Sequence, residues 1–319
     1  TVQGRDATND LSFMCITASE HVFLPMPSLS IRVWHGSSKA LLMRAAELTR
    51  TGIGLPAYYN DEVIIPALVH RGATMDEARN YNIIGCVEPQ VPGKTDGWHD
   101  AAFFNMCRPL EMVFSNGYDN GEIASIQTGN VESFQSFDEF MEAYRKQMLY
   151  NIELMVNADN AIDYAHAKLA PLPFESCLVD DCIKRGMSAQ EGGAIYNFTG
   201  PQGFGIADSL YTIKKLVFEE KRITMGELKK ALEMNYGKGL DATTAGDIAM
   251  QVAKGLKDAG QEVGPDVIAN TIRQVLEMEL PEDVRKRYEE IHEMILELPK
   301  YGNDIDEVDE LAREAAYFY

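Results

Sequence analysis

The tetrapeptide Gly85-Cys86-Val87-Glu88, which follows the apolar run Tyr81-Asn82-Ile83-Ile84, constrains this chain more than any other segment. The apolar run predicts a strand, so Cys86 and Glu88 are expected where that strand leaves the core. Side chains two residues apart on an extended backbone point to the same side. The sequence therefore predicts one pocket that holds both a sulfur able to lose hydrogen and a carboxylate able to move protons.

The first part of the chain alternates between extended and helical patterns. Residues 1–35 are expected to form short extended pieces, because Phe23–Trp34 alternates in polarity and contains prolines that exclude helix. A helix should follow, with Ser37 or Ser38 as its N-cap and Gly52 at its end.

The next segments continue this alternation. Val63-Ile64-Ile65 is predicted to be a short apolar strand or a buried turn. Thr74-Met75-Asp76-Glu77 has the pattern of a capping box, so a short helix should begin there, before the strand that delivers Cys86. This rhythm of strand, loop and helix favours an α/β architecture with buried strands.

After residue 100 the pattern becomes helical. Ala101–Phe114 carries apolar residues at helical spacing, and Ser136-Phe137-Asp138-Glu139 is a capping box expected to open a long amphipathic helix. Thr224-Met225-Gly226-Glu227 is another capping box. Residues 240–298 are rich in charged residues, Ala and Leu, and predict three surface helices.

Composition limits the classes of function. The formal net charge of −20 argues against nucleic acid as a partner, because nucleic-acid binding depends on clustered Lys and Arg. No run of 18 apolar residues is present, so no membrane span is expected. Five cysteines without C-x-x-C spacing, and scattered histidines, argue against a metal site and favour a reducing, cytoplasmic setting.

The loop around Cys86 resembles the active-site loop of glycyl radical enzymes. The resemblance rests on Gly85-Cys86-Val87-Glu88-Pro89-Gln90 and on Pro92-Gly93-Lys94-Thr95-Asp96-Gly97-Trp98-His99-Asp100. The branch it resembles most contains glycerol and propanediol dehydratases, choline trimethylamine-lyase and isethionate sulfite-lyase. Further segments fit the same family in the same order: Gly4–Asn9, Tyr59–Pro66, Glu191–Gly203 and Pro299–Asp304.

The resemblance implies a fold that the sequence pattern alone does not give. Members of the family form an α/β barrel of ten strands, with surrounding helices and the catalytic cysteine on a loop in the middle. Residues 1–130 would then form the barrel core with the cysteine loop, and residues 131–240 would add helices and barrel elements. Residues 241–319 would form a mostly helical surface region of the same structural domain, which is expected to be truncated at both ends.

The resemblance also implies a role for each candidate site residue. Cys86 would carry a thiyl radical that takes hydrogen from the substrate, and Glu88 would accept the proton of the neighbouring hydroxyl. Asp100 would hydrogen-bond the substrate hydroxyls, while His99 would donate a proton or hold the loop. Because neighbouring side chains on a strand face opposite ways, His99 and Asp100 are not expected to contact one ligand together.

The cofactor implied by the resemblance is a glycyl radical, without a metal. The family keeps this radical on a glycine in an Arg-Val-Ala-Gly-Tyr-like loop downstream of the cysteine, and the 319 residues contain no such sequence. We therefore expect a middle fragment that holds the thiol and the carboxylate but is not a complete catalyst alone. The full-length protein should bind a small-molecule substrate, form a homodimer and require a radical-SAM activating enzyme.

The leading interpretation is a lyase that dehydrates a small diol of the glycerol or 1,2-propanediol type, and it depends on Asp100 and the Gly97-Trp98-His99-Asp100 run. Cleavage of isethionate or choline, by the C–S or C–N members of the branch, stays open. So does a catalytically silent fragment that acts as a binding or structural module. A cysteine hydrolase using Cys86, His99 and Asp100 is the remaining alternative, and Glu88 with the wider resemblance disfavours it.

Overall fold

The computed structural model describes residues 5–85, 87–96, 101–119, 121–197, 202–239, 242–276 and 280–318. The chain folds into two compact units. The first comprises Thr1–Ala102 and Ala158–Gln202, and the second comprises Phe103–Asn157 and Gly203–Tyr319. The divisions at residues 130 and 240, drawn from the sequence, stay a prediction.

Helices account for most of the regular structure. In chain order they are α1 (Asp10–Val22), α2 (Lys39–Thr49), α3 (Asp61–His70), α4 (Met75–Arg79), α5 (Cys107–Phe114), α6 (Phe137–Leu169), α7 (Pro173–Ser176), α8 (Cys182–Arg185), α9 (Ala207–Thr212), α10 (Met225–Glu233), α11 (Ala242–Asp258), α12 (Pro265–Leu276), α13 (Glu282–Glu297) and α14 (Asp306–Phe318). A π-helical segment, Ile213–Glu219, continues α9.

The strands are short and pair two by two within the described residues. They are β1 (Ser30–Val33), β2 (Ala57–Asn60), β3 (Asn82–Ile84), β4 (Glu88–Gln90), β5 (Thr95–Asp96), β6 (Phe103–Asn105), β7 (Tyr118–Asp119), β8 (Glu122–Ile123), β9 (Tyr196–Asn197) and β10 (Gln202–Phe204). The parallel pairs are β1 with β2 and β5 with β9. The antiparallel pairs are β3 with β4 and β7 with β8, and β6 pairs with β10.

The first unit has small apolar clusters that support its strands. One lies between α1, β1 and α2 and contains Ile16, Ile31, Leu41, Ala45 and Leu48. A second lies around α3, α4 and β9 and contains Leu68, Ala73, Ala78, Tyr81, Val91 and Tyr196. The second cluster includes the residue that precedes β3, so the strand leading to Cys86 starts from a packed core.

The second unit is built around the first turns of α6. Phe140 is fully buried, and its ring centroid lies 6.1–6.4 Å from those of four other aromatic rings: Phe114, Phe134, Phe137 and Phe218. Apolar residues of α9, α10, α13 and α14 complete this cluster. Because Ile291 of α13 is also fully buried in this cluster, at least this one of the predicted surface helices contributes to the core.

Several helix predictions are confirmed. Thr74 and Thr224 form complete capping boxes with Glu77 and Glu227, at the starts of α4 and α10. The three helices expected in residues 240–298 are α11, α12 and α13. The capping box at Ser136 is only partly formed, because the Glu139 carboxylate accepts a hydrogen bond from the Gln135 N–H rather than from Ser136.

The expectation of extended structure throughout residues 1–35 is wrong at α1. The Asn9 side chain accepts hydrogen bonds from the N–H groups of Leu11 and Ser12, and the Ser12 hydroxyl accepts one from the Asn9 N–H. This reciprocal cap uses Ser at the third helical position in place of the usual Glu or Gln. The extended pattern does hold further on, where Ser30–Val33 forms β1.

Val63-Ile64-Ile65 is helical rather than a strand or turn. It lies inside α3, which begins after Asn60, whose side chain accepts a hydrogen bond from the Glu62 N–H. β-branched residues favour strands only weakly, so a good cap and packing reverse their preference. The prediction of helix from residue 101 is also wrong at its start, where Phe103–Asn105 is a strand and α5 begins at Cys107.

The described residues therefore have mixed helix and strand, as the α/β prediction requires, in small sheets. Among the helices in the described ranges, none combines the length and apolar character needed to cross a bilayer.

The aromatic cluster around Phe140 predicts a large loss of stability on truncation. Phe140→Ala should lower the free energy of unfolding by about 3–5 kcal/mol, because it opens a cavity among four rings. Urea unfolding followed by circular dichroism measures the change. Phe174→Ala is the matched control, since the Phe174 side chain is 80% exposed and its removal should change stability by less than about 0.5 kcal/mol. Equal losses for the two variants would contradict this description of the core.

Candidate active site

Gly85 and Val87, which flank Cys86 in the sequence, lie in the turn of a β-hairpin. Strands β3 and β4 pair antiparallel, with Ile84 opposite Glu88, and residues 85–87 connect them. Gly85 has a φ of +58°, a left-handed conformation that favours glycine. Cys86 itself lies outside the described residues, as do His99 and Asp100.

The hairpin changes the geometry expected for Cys86 and Glu88. One continuous strand does not run from Ile84 to Glu88, because Gly85 and Val87 are turn residues and β4 begins only at Glu88. Side-chain alternation along a strand therefore does not apply across this step. That the Cys86 thiol and the Glu88 carboxylate face one pocket stays a prediction.

The Glu88 carboxylate is buried and folds back over this turn. Its exposed fraction is 7%, and Oε2 accepts a hydrogen bond of 2.8 Å from the Val87 N–H. A Cβ atom placed on Gly85 would lie 2.6 Å from the same oxygen. The carboxylate thus lies against the backbone on both sides of residue 86, in a position sheltered from water.

A buried ion pair fixes the backbone that leads into the hairpin. Arg32 on β1 forms a two-point contact with Asp61 at the start of α3, with Nε–Oδ1 and Nη2–Oδ2 distances of 2.8 and 2.9 Å. Arg32 Nη1 also donates to the carbonyl oxygens of Arg79 and Tyr81, at 3.0 and 3.1 Å. The guanidinium therefore holds the backbone just before β3 in place.

Tyr81 closes this network. Its hydroxyl donates to Asp61 Oδ1 at 2.7 Å, and its ring lies under the Arg32 guanidinium, 3.9 Å from centroid to Cζ. Burial acts to raise the pKa of Asp61, but the hydrogen bonds from Arg32 and Tyr81 outweigh it, so that pKa is lowered. Burial and the Asp61 contact raise the pKa of the Tyr81 hydroxyl. Asp61 is therefore a charged, fully engaged structural group.

A second polar cluster lies beside the hairpin and is centred on Glu77. Glu77 Oε2 accepts hydrogen bonds from the Thr74 N–H, the Thr74 hydroxyl and the Tyr196 hydroxyl, at 2.9, 2.6 and 2.7 Å. Its other oxygen lies 3.0 Å from Lys94 Nζ, which also lies 3.3 Å from Asp180. Hydrogen bonds from Thr74, Tyr196 and Lys94 lower the pKa of Glu77 to about 2. We call Thr74, Glu77, Lys94 and Tyr196 the Glu77 cluster.

The Glu77 cluster lies at the base of the segment that carries the other candidate residues. Lys94 is followed by β5, which pairs in parallel with β9, so that Thr95 is opposite Tyr196. Residues 97–100, with His99 and Asp100, follow β5 directly. The described residues thus place Lys94, at the base of this segment, beside the start of α4.

Sequence reasoning did not identify Arg32, Asp61, Glu77 or Lys94 as supports of the site. Glu77 was recognised only as part of a capping box, whereas its contacts with Lys94 and Tyr196 join residues far apart in the chain. A partial signal existed, because Asp61, Lys94 and Tyr196 all lie in segments that fit the family pattern. The contacts that Asp61 makes with Arg32, and that Lys94 and Tyr196 make with Glu77, could not be read from one sequence.

Other groups in the described ranges offer no metal site, since no three His, Cys, Asp or Glu side chains there are grouped to hold an ion. Cys182 is buried, whereas Cys177 is exposed. Burial raises the pKa of the Cys182 thiol, so it is held in its neutral form.

Comparison with known proteins decides the family. The sequence model of the PFL-like (pyruvate formate lyase-like) family matches residues 1–319. The chain belongs to the pyruvate formate lyase-like family. The resemblance of the Cys86 loop to glycyl radical enzymes is thereby confirmed.

Solved structures and curated relatives agree with this assignment. A structure from work on 1,2-propanediol dehydration in Roseburia inulinivorans is 99% identical, with a TM-score of 0.87, and the match covers 100% of this chain and 38% of that one. The glycerol-bound B12-independent glycerol dehydratase from Clostridium butyricum is 48% identical, with a TM-score of 0.73 and coverage of 100% and 35%. The (2S)-3-sulfopropanediol dehydratase of Klebsiella oxytoca is 38% identical over 239 residues, which are 73% of this chain and 29% of the relative. This pyruvate formate lyase-like chain spans about a third of the length of these proteins.

The contact between Gly85 and Glu88 predicts an unequal response to alanine at two left-handed glycines. Gly54 has a φ of +80° with no atom within 4 Å of an added Cβ, so Gly54→Ala should cost only the backbone strain, about 1–2 kcal/mol. Gly85→Ala should lower the free energy of unfolding further, because its Cβ meets the Glu88 carboxylate. Removing that carboxylate with Glu88→Ala should reduce the excess, which is the additional loss of unfolding free energy in Gly85→Ala relative to Gly54→Ala. An excess that persists in the Glu88→Ala background would contradict the described position of the carboxylate.

The lowered pKa of Glu77 predicts a specific acid dependence of stability. A carboxylate whose pKa falls on folding stabilises the native state at pH values above its ordinary pKa of 4.5. This contribution is lost as the pH falls toward the lowered pKa of about 2. The difference in unfolding free energy between the wild type and Glu77→Gln should therefore be constant above pH 5 and shrink below it. Denaturant unfolding at several pH values measures this difference. A difference that stays constant down to pH 2 would contradict the assignment.

Proposed function

We propose that this chain supplies the thiol and the base of a glycyl radical lyase that dehydrates a small diol of the glycerol or 1,2-propanediol type. The observation that carries the proposal is the buried Glu88 carboxylate, which lies against Gly85 and Val87, the two residues that flank Cys86. The 99% identity to a structure from work on 1,2-propanediol dehydration supports this choice of substrate. In the complete protein, the short sheets would belong to a ten-stranded barrel.

Cys86 is the proposed hydrogen carrier. A thiyl radical on its sulfur would take a hydrogen atom from the hydroxyl-bearing carbon of the diol, which forms an S–H bond and leaves the unpaired electron on carbon. This step needs a thiol sheltered from water, in contrast to the exposed thiolate of a nucleophilic cysteine. The shelter around Glu88 fits that requirement.

Glu88 is the proposed base. Once the hydroxyl-bearing carbon is a radical, the hydroxyl on that carbon becomes more acidic. The Glu88 carboxylate would accept the proton of this hydroxyl. The resulting oxygen anion forms a C=O bond while the C–O bond to the adjacent hydroxyl breaks. The departing hydroxide takes up the proton that Glu88 accepted and leaves as water.

The last step returns the hydrogen. The carbon radical next to the new carbonyl takes the hydrogen atom back from the Cys86 thiol, which restores the thiyl. The diol is thereby converted into an aldehyde and water, with no net gain or loss of electrons. Asp100 is proposed to hold the substrate hydroxyls, and His99 to donate a proton or to hold the loop.

The cofactor proposed for the whole protein is a glycyl radical on a residue outside this chain, which supplies the unpaired electron by removing the thiol hydrogen of Cys86. The sheltered Glu88 carboxylate, next to the segment that carries the thiol, fits a glycyl radical, because chemistry with this cofactor needs neither metal ligands nor an activated thiolate. We also propose that the complete protein forms a homodimer and requires a radical-SAM activating enzyme.

A direct assay tests the proposal. The full-length protein, activated without oxygen, should convert 1,2-propanediol or glycerol to an aldehyde and leave isethionate and choline unchanged. Glu88→Gln should lower kcat by about 10²–10⁴-fold while the glycyl radical signal in electron paramagnetic resonance is retained, because an amide cannot accept the proton. Cys86→Ser should abolish turnover.

Glu47→Gln is the matched control, because the Glu47 side chain is 58% exposed and lies on α2. It should retain kcat within about two-fold of the wild type, as surface changes usually do. Absence of turnover of both diols with an intact radical signal would refute the proposed substrate class. Cleavage of isethionate or choline instead would assign the chain to another branch of the family.

A further inference from the structure

Glu77 has more partners than a helix cap requires. In a capping box, the carboxylate at the third helical position serves only the backbone N–H and hydroxyl of the cap residue. Glu77 does this for Thr74, and it also binds Tyr196 and Lys94, which are 119 and 17 residues further along the chain. These extra contacts join three separate segments of the first unit.

The three segments include both arms of the proposed site. The helix that Glu77 caps, α4, ends at Arg79 and leads through β3 to Gly85, the residue before Cys86. Lys94 leads through β5 into residues 97–100, which contain the proposed substrate-holding Asp100. Glu77 is therefore bound at the base of the thiol arm and at the base of the substrate arm.

The backbone next to Lys94 is held by further contacts of the same cluster. The Tyr196 N–H donates to the Lys94 carbonyl at 3.3 Å, and the Tyr196 hydroxyl donates to Glu77. The competing partner of Lys94, Asp180, is 60% exposed, whereas the Glu77 side chain is 20% exposed. Since ion pairs weaken with exposure to solvent, Glu77 is the stronger of the two anchors for Lys94.

We propose that Glu77 is a positioning residue that sets the spacing between the Cys86 arm and the Asp100 arm. It does so by binding Lys94 and Tyr196 while it caps α4. The role assigned to Glu77 rests on the proposed diol dehydration, because spacing matters only if both arms meet one substrate. Its lowered pKa keeps the carboxylate charged throughout the neutral range, so the arrangement is a fixed support rather than a pH-dependent switch.

Hydrogen transfer between sulfur and carbon is sensitive to such spacing. Reacting atoms must be held about 3–3.5 Å apart, and a displacement of about 1 Å can reduce the rate by about 10²-fold. Loss of the Glu77–Lys94 pair should therefore affect turnover more than substrate binding, and it should leave the stored radical intact.

Glu77→Gln isolates this role, because a capping box accepts Gln in place of Glu. The amide retains the shape and can serve Thr74, but it cannot offer a charged oxygen to Lys94. In the activated full-length protein we expect kcat for 1,2-propanediol to fall by about 10–100-fold, with a smaller change in KM and an unchanged radical signal. Lys94→Met should give a similar loss, the double variant no further loss, and Lys94→Arg most of the wild-type activity.

The chain contains a matched control in its second unit. Glu227 caps α10 through Thr224 with the same hydrogen bonds, and it pairs with Arg287 as Glu77 pairs with Lys94. Glu227→Gln therefore removes the same kind of charge from the same kind of cap. It should retain kcat within about two-fold.

Hydrogen exchange separates failure of this role from failure of the proposed function. Amides of residues 91–96 should exchange faster in Glu77→Gln and at the wild-type rate in Glu227→Gln, whatever the substrate is. If the wild type dehydrates the diol but Glu77→Gln has the same kcat and exchange as Glu227→Gln, the positioning role is overturned. If no diol is converted, the proposed function fails, and unchanged exchange would then overturn the role of Glu77 as well.

Discussion

A single guanidinium holds the part of the chain that leads into the candidate site. Arg32 on β1 binds the buried carboxylate of Asp61 and the two carbonyl oxygens that precede β3. Desolvation offsets much of the attraction in such a pair, so its main contribution is geometric. By joining β1, α3 and the residue at the start of β3, it determines where the hairpin leaves the core. The turn with Gly85 and Val87, and the carboxylate of Glu88 folded over it, depend on that starting point.

Local signals in the sequence were sufficient for α4 and α10, which begin with the usual Thr-x-x-Glu capping box. Thr74 and Thr224 predict the starts of α4 and α10, because each cap residue and its reciprocal Glu are only three residues apart. The same reasoning missed α1, where Asn9 uses Ser12 as its partner, and α3, where β-branched residues suggested a strand. In those helices, packing decides the conformation against a weak intrinsic preference, and packing partners are not visible in one sequence.

The candidate site shows the same division between local and distant information. The residues Cys86 and Glu88 could be chosen from the sequence because their motif is contiguous. Their geometry could not, since the prediction assumed a strand where the chain makes a turn with Gly85 in the left-handed region. The supporting contacts of Glu77 with Tyr196 and Lys94 depend on how distant segments pack. Family resemblance located the chemistry, and the structure located what holds it.

Isotope tracing tests most directly whether one sulfur both removes and returns the substrate hydrogen. The activated full-length protein would be given 1,2-propanediol labelled with deuterium at the carbon that loses hydrogen, in ordinary water, and the aldehyde would be examined by NMR. The Cys86 sulfur would take deuterium from the carbon that becomes the carbonyl and, in a sheltered site, would give it to the adjacent carbon. We therefore expect deuterium at the carbon next to the carbonyl. An aldehyde without deuterium at that neighbouring carbon, in the first turnover, would contradict the hydrogen-carrier role of Cys86.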